Sequence, residues 1–224
     1  MIEVKKGNIF TTECQTIVNT VNCVGVMGAG IALEFKLRYP EMFNKYKIFC
    51  DDGLINIGNL WIYTIDNKEI LGYTKILNFP TKEHWKYPTK KEYLEKGLQK
   101  FVDTYASKNI ESIAFPLLGA SKGGMNENDS IRIMKNYLSK CDIKIEIWHF
   151  DPTAKDDVYD EFKSVFMNLS DASIKEKSQL RNDAIKKIKS GLLMDDINSL
   201  SGLLKVKGIG ATTLEKSFVL LKNV

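Results

Sequence analysis

Short apolar runs alternate with longer amphipathic segments along the first 150 residues or so of the chain. The apolar runs predict strands, and the segments with a 3.6-residue period predict helices. The predicted strands lie before Gly7, at Ile17–Val21, Gly58–Ile65, Thr74–Phe79, Ile110–Pro116 and Ile143–Phe150. The predicted helices lie at Ile31–Tyr39, Glu41–Phe49, Lys90–Ala106 with Thr89 as cap, and Asp156–Leu169. A further helix is predicted after the loop 117–126 and ends at about Leu138. This alternation with short connections, including a polar turn at Asp66-Asn67, predicts an α/β fold around a mixed, mostly parallel sheet.

The pattern changes after Asp151-Pro152. Residues 170–178 are polar and predict a linker between a main domain, 1–169, and a small all-α region, 179–224. From Ala172 onward the chain has ten Lys and Arg residues against five Asp and Glu residues. The helical region is therefore locally basic.

The composition limits the class of protein but does not identify its function. The 224 residues are 44% hydrophobic and 27% charged, with a formal net charge of +4, which is typical of a soluble globular protein. Four scattered cysteines and two histidines show no metal-ligand or redox spacing, so we expect free thiols in a reducing cytoplasm and no metal site. No apolar run reaches the length of a membrane span, so we expect a cytoplasmic protein without a membrane partner.

Three loops carry the candidate chemistry. The stretch 19–36 reads as strand, glycine-rich turn and helix N-terminus, an arrangement that presents backbone N–H groups to an anion such as a phosphate. The alternative is a tight connection without a ligand. A second glycine-bearing loop lies at 117–126, and a polar, aromatic loop lies between Pro80 and Pro88. Since all three follow strands, we expect them to meet beyond the carboxyl ends of a parallel sheet.

Four segments together resemble a known family: GNIF at 7–10, NTVNCVGVMGAGIALEFK at 19–36, NFPTKEHWKYPT at 78–89 and PLLGASKGG at 116–124. They are similar to the macrodomains, and more narrowly to the DNA ADP-ribosyl glycohydrolase antitoxins (DarG-type) and the terminal ADP-ribose protein glycohydrolases. The resemblance covers about residues 1–155. It implies a three-layer α/β/α macrodomain and ADP-ribose as ligand and product, with no cofactor.

The resemblance also implies which residues bind ADP-ribose, with the diphosphate between the two glycine loops. The implied ligand-binding residues are Asn8, Ile9, Asn22, Val24, Gly25, Val26, Met27, Gly28, Gly30, Thr81, Leu118, Gly119, Ala120, Ser121, Lys122, Gly123, Gly124 and Phe150. Asn8 replaces an aspartate that accepts from the adenine amino group; the alternative is a turn residue. Asn22 would bind a ribose hydroxyl, or else a neighbouring loop carbonyl. Phe150 would stack on adenine, or else belong to the core.

Lys82 carries the implied reaction, because the lysine of the matching segment is required for turnover in the relatives. It would approach the anomeric carbon of the distal ribose. It acts as a nucleophile only when deprotonated, which needs burial or a nearby cation to lower its pKa; alternatively it stays charged and orients the substrate or protonates the leaving group. His84 would support it by proton relay, or else only pack on Trp85.

The second glycine loop departs from one branch of the family. Gly123 stands where the terminal-type relatives carry an aspartate, which favours the DNA-directed branch. Two nearby acids, Glu127 and Asp129, fall within the next predicted helix, where capping or solvation explains them.

The C-terminal segment VKGIGATTLEK resembles a helix-hairpin-helix element. Gly208 and Gly210 would present N–H groups to a DNA phosphate, with Lys207, Lys205 and Lys216 adding salt-sensitive attraction. The alternative is a structural role or docking of a partner protein.

The resemblance thus implies an enzyme that hydrolyses the N-glycosidic bond between ADP-ribose and a DNA base, reversing DNA ADP-ribosylation as an antitoxin does. The expected partners are ADP-ribosylated DNA and a cognate DNA ADP-ribosyltransferase toxin. Two alternatives remain: a macrodomain that binds ADP-ribose without cleaving it, and a hydrolase of ADP-ribose linked to protein carboxylates.

Overall fold

A computed structural model describes residues 1–65 and 72–223, and these contain a six-stranded sheet. The strands are β1 (Ile2–Gly7), β2 (Thr16–Asn22), β3 (Trp61–Thr64), β4 (Lys75–Lys82), β5 (Ser112–Pro116) and β6 (Lys144–Phe150). Their order is β1-β6-β5-β2-β4-β3, and every pairing is parallel except that of β3 with β4. The predicted α/β class with a mixed, mostly parallel sheet is confirmed.

Helices connect the strands and make up the C-terminal region. They are α1 (Gly30–Arg38), α2 (Pro40–Asp51), α3 (Lys91–Thr104), α4 (Glu127–Leu138), α5 (Asp157–Asn168), α6 (Asp171–Ser178), α7 (Asn182–Leu192) and α8 (Ala211–Phe218). Short 3₁₀ segments lie at Ile9–Thr11, Ser121–Gly123, Ser201–Lys205 and Val219–Asn223. None of the helices described here is long and apolar enough to cross a membrane.

Two predicted boundaries were wrong in ways that affect the candidate site. β4 continues to Lys82, so Pro80, Thr81 and Lys82 of the segment predicted as a polar loop belong to a strand. Thr89 does not cap the following helix: α3 begins at Lys91 with Lys90 at its N-cap position. The polar turn predicted at Asp66-Asn67 lies outside the described residues.

The chain divides into two compact units. The first comprises Met1–Met27 and Tyr39–Asp151, and its core lies between the sheet and the helices α3 and α4. Gly97 lets α3 approach β4 closely, because a Cβ at this position would lie 2.3 Å from the Phe79 ring. This tight packing fixes β4, the strand that ends in Lys82.

The second unit combines Gly28–Arg38 with the chain from Pro152 onward, so it does not follow the predicted division at residue 169. Leu33 and Leu37 of α1 belong to the same apolar core as the side chains of α5 to α8. The predicted linker was also wrong. Residues 171–178 form α6, which is capped by the Ser170 hydroxyl and buries Ile174 completely. The cap and the buried Ile174 tie this polar segment to the second unit.

A buried ionic network holds α1 within the second unit. Arg38 pairs with Glu34 on the same helix and makes two hydrogen bonds of 3.0 Å to the carboxylate of Asp156, which caps α5. The other Glu34 oxygen accepts from the backbone N–H of Ser201 at 2.7 Å. The Arg38 side chain is only 7% exposed, so these charges stabilise one another with little screening by water.

We predict that Arg38→Ala destabilises the protein by about 3 kcal/mol, because it leaves two buried carboxylates without their cation. Urea unfolding measures the change. Arg132→Ala is the matched control, since Arg132 also pairs with a carboxylate on its own helix but is 78% exposed; we expect less than about 0.5 kcal/mol there. Equal effects of the two substitutions would show that the network does not stabilise the fold.

Candidate functional site

The parallel strands of the first unit end at one edge of the sheet, and the candidate residues follow these ends. Asn22 is the last residue of β2 and the register partner of Lys82, the last residue of β4. The loop after β5 carries the second glycine loop, and β6 ends at Phe150. The carboxyl edge of a parallel sheet is where such folds bind their ligands.

The amide of Asn22 shapes the first glycine loop. Its Nδ2 donates to the carbonyl of Val26 at 2.5 Å, and its Oδ1 accepts from the N–H groups of Val24 at 3.0 Å and Val26 at 3.3 Å. The hydroxyl of Tyr46 donates to the Asn22 backbone carbonyl at 2.7 Å. The partner observed for Asn22 is therefore the neighbouring loop, which was the alternative to a ribose hydroxyl; ribose binding by Asn22 stays a prediction.

This arrangement changes what the first loop offers to a diphosphate. The N–H groups of Val24 and Val26 point to Asn22, so the two valines expose side chains rather than donors. Gly25 adopts φ +73°, which a side chain would strain. The loop runs through Gly28 into α1 at Gly30, and the first N–H groups of a helix have no acceptor within it. These later N–H groups are the donors that remain for an anion.

The second glycine loop, Leu118–Gly124, contains a 3₁₀ turn at Ser121–Gly123. Gly119 and Gly124 have φ of +71° and +78°. The N–H groups of Gly123, Gly124 and Met125 donate to carbonyls within the loop. Within the described residues, the N–H groups of Ala120, Ser121 and Lys122 have no protein acceptor. Three such consecutive N–H groups in a turn form the kind of nest that binds phosphate.

Thr89 supports this loop from below, a role that the sequence did not reveal. Its N–H donates to the Gly123 carbonyl at 2.9 Å, and its side chain is 7% exposed. A Cβ on Gly119 would lie 3.0 Å from Thr89 Cγ2, and a Cβ on Gly123 would lie 2.9 Å from Thr89 Oγ1. The two glycines are therefore needed for the close approach of Thr89. The local pattern Pro-Thr before a helix suggested a cap, and only the tertiary contact shows the actual role.

Lys82 lies half-buried where β4 meets the second glycine loop. Its Nζ donates to the backbone carbonyl of Lys122 at 2.5 Å. Burial disfavours the charged ammonium and lowers the pKa of Lys82, which agrees with the expectation for a reactive lysine. The cause is burial and not a neighbouring cation.

The predicted adenine contacts are placed differently from one another. The Asn8 side chain accepts from the Phe10 N–H at 3.1 Å and so caps the first 3₁₀ turn, as the turn alternative predicted. Phe150 is 67% exposed, which excludes the core alternative and leaves its ring free to stack. Adenine binding by these two residues remains a prediction.

Several other predicted contacts are buried. The side chains of Ile9, Met27, Thr81 and Leu118 are at most 7% exposed, so they form the framework beneath the loops. His84 stacks on Trp85 with ring centroids 5.4 Å apart, as its alternative predicted. Glu127 and Asp129 lie in the first turn of α4, whose cap is Asn126. Among the described residues, no three His, Cys, Asp or Glu side chains gather where they could hold a metal ion.

The C-terminal hairpin lies in the second unit. Gly208 (φ +91°) and Gly210 are exposed, Ile209 between them is buried, and Gly210 is the N-cap of α8. The segment before the hairpin is a single 3₁₀ turn, Ser201–Lys205, rather than an α-helix. The resemblance to a helix-hairpin-helix element, and phosphate binding by Gly208, Gly210 and exposed Lys207, stay predictions.

Comparison with known proteins identifies the family. The profile of the Macro domain family matches residues 18–134, which is more than half of the chain. The chain therefore belongs to the Macro domain family.

Curated relatives narrow the similarity. A DNA ADP-ribosyl glycohydrolase of Mycobacterium tuberculosis is 43% identical over 129 residues, which are 58% of this chain and 36% of the relative. One from Thermus aquaticus is 36% identical over 152 residues, 68% of this chain and 41% of the relative. The chain thus spans about two fifths or less of the length of these relatives.

Solved structures agree on the fold. The macrodomain of Mycobacterium tuberculosis DarG matches with a TM-score of 0.62 and 38% identity, covering 66% of this chain and 97% of that one. Thermosipho africanus DarTG in complex with ADP-ribose matches with a TM-score of 0.62 and 30% identity, covering 66% of this chain and 42% of that one. The three-layer α/β/α macrodomain fold predicted from the sequence is confirmed.

We predict that Gly119→Ala reduces ADP-ribose affinity and destabilises the protein by about 3 kcal/mol, because it adds overlap with Thr89 to the strain of a positive φ. Titration calorimetry and urea unfolding measure the two effects. Gly53→Ala is the control: Gly53 has a similar φ of +68°, but a Cβ there meets nothing within 4 Å. It should cost only about 1 kcal/mol and leave affinity unchanged. If both variants bind normally, the packing of Thr89 does not shape the site.

Proposed function

We propose that this protein hydrolyses the N-glycosidic bond between ADP-ribose and a DNA base, releasing ADP-ribose and the restored base. The observation that carries the proposal is the position of Lys82: half-buried, at the end of β4, beside Asn22 in register and in contact with the second glycine loop. The names of the curated relatives support it, as does the absence of an acid between Leu118 and Gly124.

The second glycine loop is the proposed phosphate cradle. The N–H groups of Ala120, Ser121 and Lys122 would bind a phosphate of the diphosphate. Phe150 would stack on adenine. ADP-ribose is then ligand and product, and the reaction needs no cofactor.

Lys82 would act on the anomeric carbon of the distal ribose. In one route its neutral Nζ forms a bond to this carbon while the bond to the base breaks and the base takes a proton. Water then attacks the same carbon and releases Lys82. In the other route water attacks directly while the Lys82 ammonium protonates the departing base. Both routes consume one water and yield ADP-ribose and the unmodified base. Either route requires Lys82 to leave the Lys122 carbonyl.

The proposed partners follow from the same relatives. A fusion of a DNA ADP-ribosyl transferase with a DNA ADP-ribosyl glycohydrolase exists in Thermosipho africanus and is 30% identical to this chain over 156 residues. We infer that a cognate transferase toxin supplies the modified DNA and that this protein acts as its antitoxin. The exposed hairpin with Lys207, Gly208 and Gly210 would add DNA phosphate contacts.

We predict that Lys82→Ala loses at least about 100-fold in the rate of ADP-ribose release from modified single-stranded DNA, within the range for removal of one acid–base or nucleophilic group, while free ADP-ribose still binds. Lys75→Ala is the matched control, since Lys75 begins the same strand and also donates to a backbone carbonyl, that of Asn109, at 2.6 Å. Undiminished turnover by Lys82→Ala would rule out the mechanism.

The same assay on ADP-ribosylated protein separates the alternatives. Release from protein but not from DNA would favour the protein-carboxylate hydrolase. Binding of ADP-ribose with turnover of neither substrate would favour a non-catalytic macrodomain.

We predict that kcat/KM on modified DNA rises with pH and then levels off. The midpoint of the rise should lie below the ordinary pKa of lysine. Burial lowers the pKa of Lys82, so the neutral amine increases as pH rises through that lowered value. A pH–rate profile measures this. A falling limb at the same midpoint would instead assign the reactive form to the ammonium.

A further inference from the structure

The turn Glu83–Pro88, called here the aromatic turn, follows Lys82 and exposes two large aromatic rings to an unusual degree. Trp85 is 49% exposed and Tyr87 is 67% exposed, although rings of this size are commonly buried. Neither ring contributes to the core of the first unit. Their exposure therefore calls for an explanation other than folding.

The rings form a continuous surface. His84 and Trp85 stack with centroids 5.4 Å apart and planes 26° apart, and Tyr87 lies 5.5 Å from His84 on a tilted plane. The Nζ of Lys86 lies 5.2 Å from the centre of the Trp85 ring. Aromatic faces next to a cation suit nucleotides, which combine planar bases with negatively charged phosphates.

The aromatic turn is held in place, so the rings are presented by a fixed scaffold. The Cys23 N–H donates to the Glu83 carbonyl at 3.2 Å, and the Tyr87 N–H donates to the His84 carbonyl at 3.2 Å. Beyond the turn, the Thr89 N–H donates to the Gly123 carbonyl at 2.9 Å. A pre-ordered surface loses little conformational freedom when a ligand binds.

Charge decides which class of ligand fits. Residues 82–90 contain three lysines and one acid, Glu83. Glu83 also interacts with the Tyr93 side chain of α3, where it raises the pKa of the hydroxyl. The three lysines outnumber this one acid. A polyanion is favoured over an acidic or neutral apolar peptide, and a single strand is favoured over a duplex, whose base faces are stacked inside.

We propose that the aromatic turn is a stacking platform for the unmodified bases next to the ADP-ribosylated one in single-stranded DNA. Trp85 and Tyr87 carry the stacking, and Lys86 attracts the phosphates. This inference rests on the proposed function, because it assigns the part of the DNA substrate beyond the modified nucleotide to these residues. They determine specificity for a strand over an isolated nucleoside.

Two substrates test the proposal: an ADP-ribosylated single-stranded oligonucleotide and the corresponding ADP-ribosylated nucleoside. For Trp85→Ala and Tyr87→Ala we expect KM for the oligonucleotide to rise about tenfold each, with kcat and the nucleoside reaction unchanged. Lys86→Glu should also raise KM for the oligonucleotide relative to the wild type, and by a larger factor at lower salt. Leu54→Ala, a 56% exposed apolar side chain of the same unit, is the control and should change neither.

The outcomes separate the two proposals. If the wild type releases ADP-ribose from neither substrate, the proposed function fails. The platform is then judged by fluorescence anisotropy with an unmodified oligonucleotide, whose binding the Trp85 and Tyr87 variants must weaken. If the wild type is active and the variants keep its KM for the oligonucleotide, the platform is overturned. Equal losses on nucleoside and oligonucleotide, or on ADP-ribosylated protein, also overturn it. Trp85→Phe, which keeps a ring, should restore most of the affinity.

Discussion

The candidate site depends on the amide of one asparagine at the end of the central strand pair. The Asn22 side chain binds three backbone groups of the loop that follows it. The Tyr46 hydroxyl donates to the backbone carbonyl of Asn22. An amide has one donor side and one acceptor side, so it can hold a carbonyl and N–H groups of the same loop at once. Because Asn22 is only 7% exposed, these bonds form away from water, where an unpaired group is costly. They determine how the chain leaves β2.

The second glycine loop is joined to the end of β4 and to its continuation at two points. The Lys82 side chain contacts the Lys122 carbonyl, and the Thr89 backbone contacts the Gly123 carbonyl. A movement of this loop would therefore change the contact between the Lys82 amine and the Lys122 carbonyl. The position of the Lys82 amine is therefore coupled to the conformation of the second glycine loop.

The strands and both glycine loops could be predicted from the sequence, because apolar runs and glycine clusters are local signals. The end of β4 could not, since Pro80 and the polar residues after it read as a loop, although β4 pairs with β2 as far as Lys82. Thr89 satisfied a local rule for helix caps, but Lys90 takes the N-cap position and the Thr89 side chain packs against Gly119 and Gly123 instead. The polar segment 170–178 lacked an apolar pattern, and its single buried Ile174 gave too weak a signal to reveal α6.

The packing of α1 has a consequence for how such a protein can be rearranged by recombination. Leu33 and Leu37 lie in one core with residues more than 120 positions later, so the second unit is completed by a segment that interrupts the first. A gene boundary placed after the family-matching region would separate these partners and leave apolar side chains of α1 without their cover. The C-terminal helices are therefore not a detachable appendage in this chain. They share one apolar core with the helix that follows the first glycine loop.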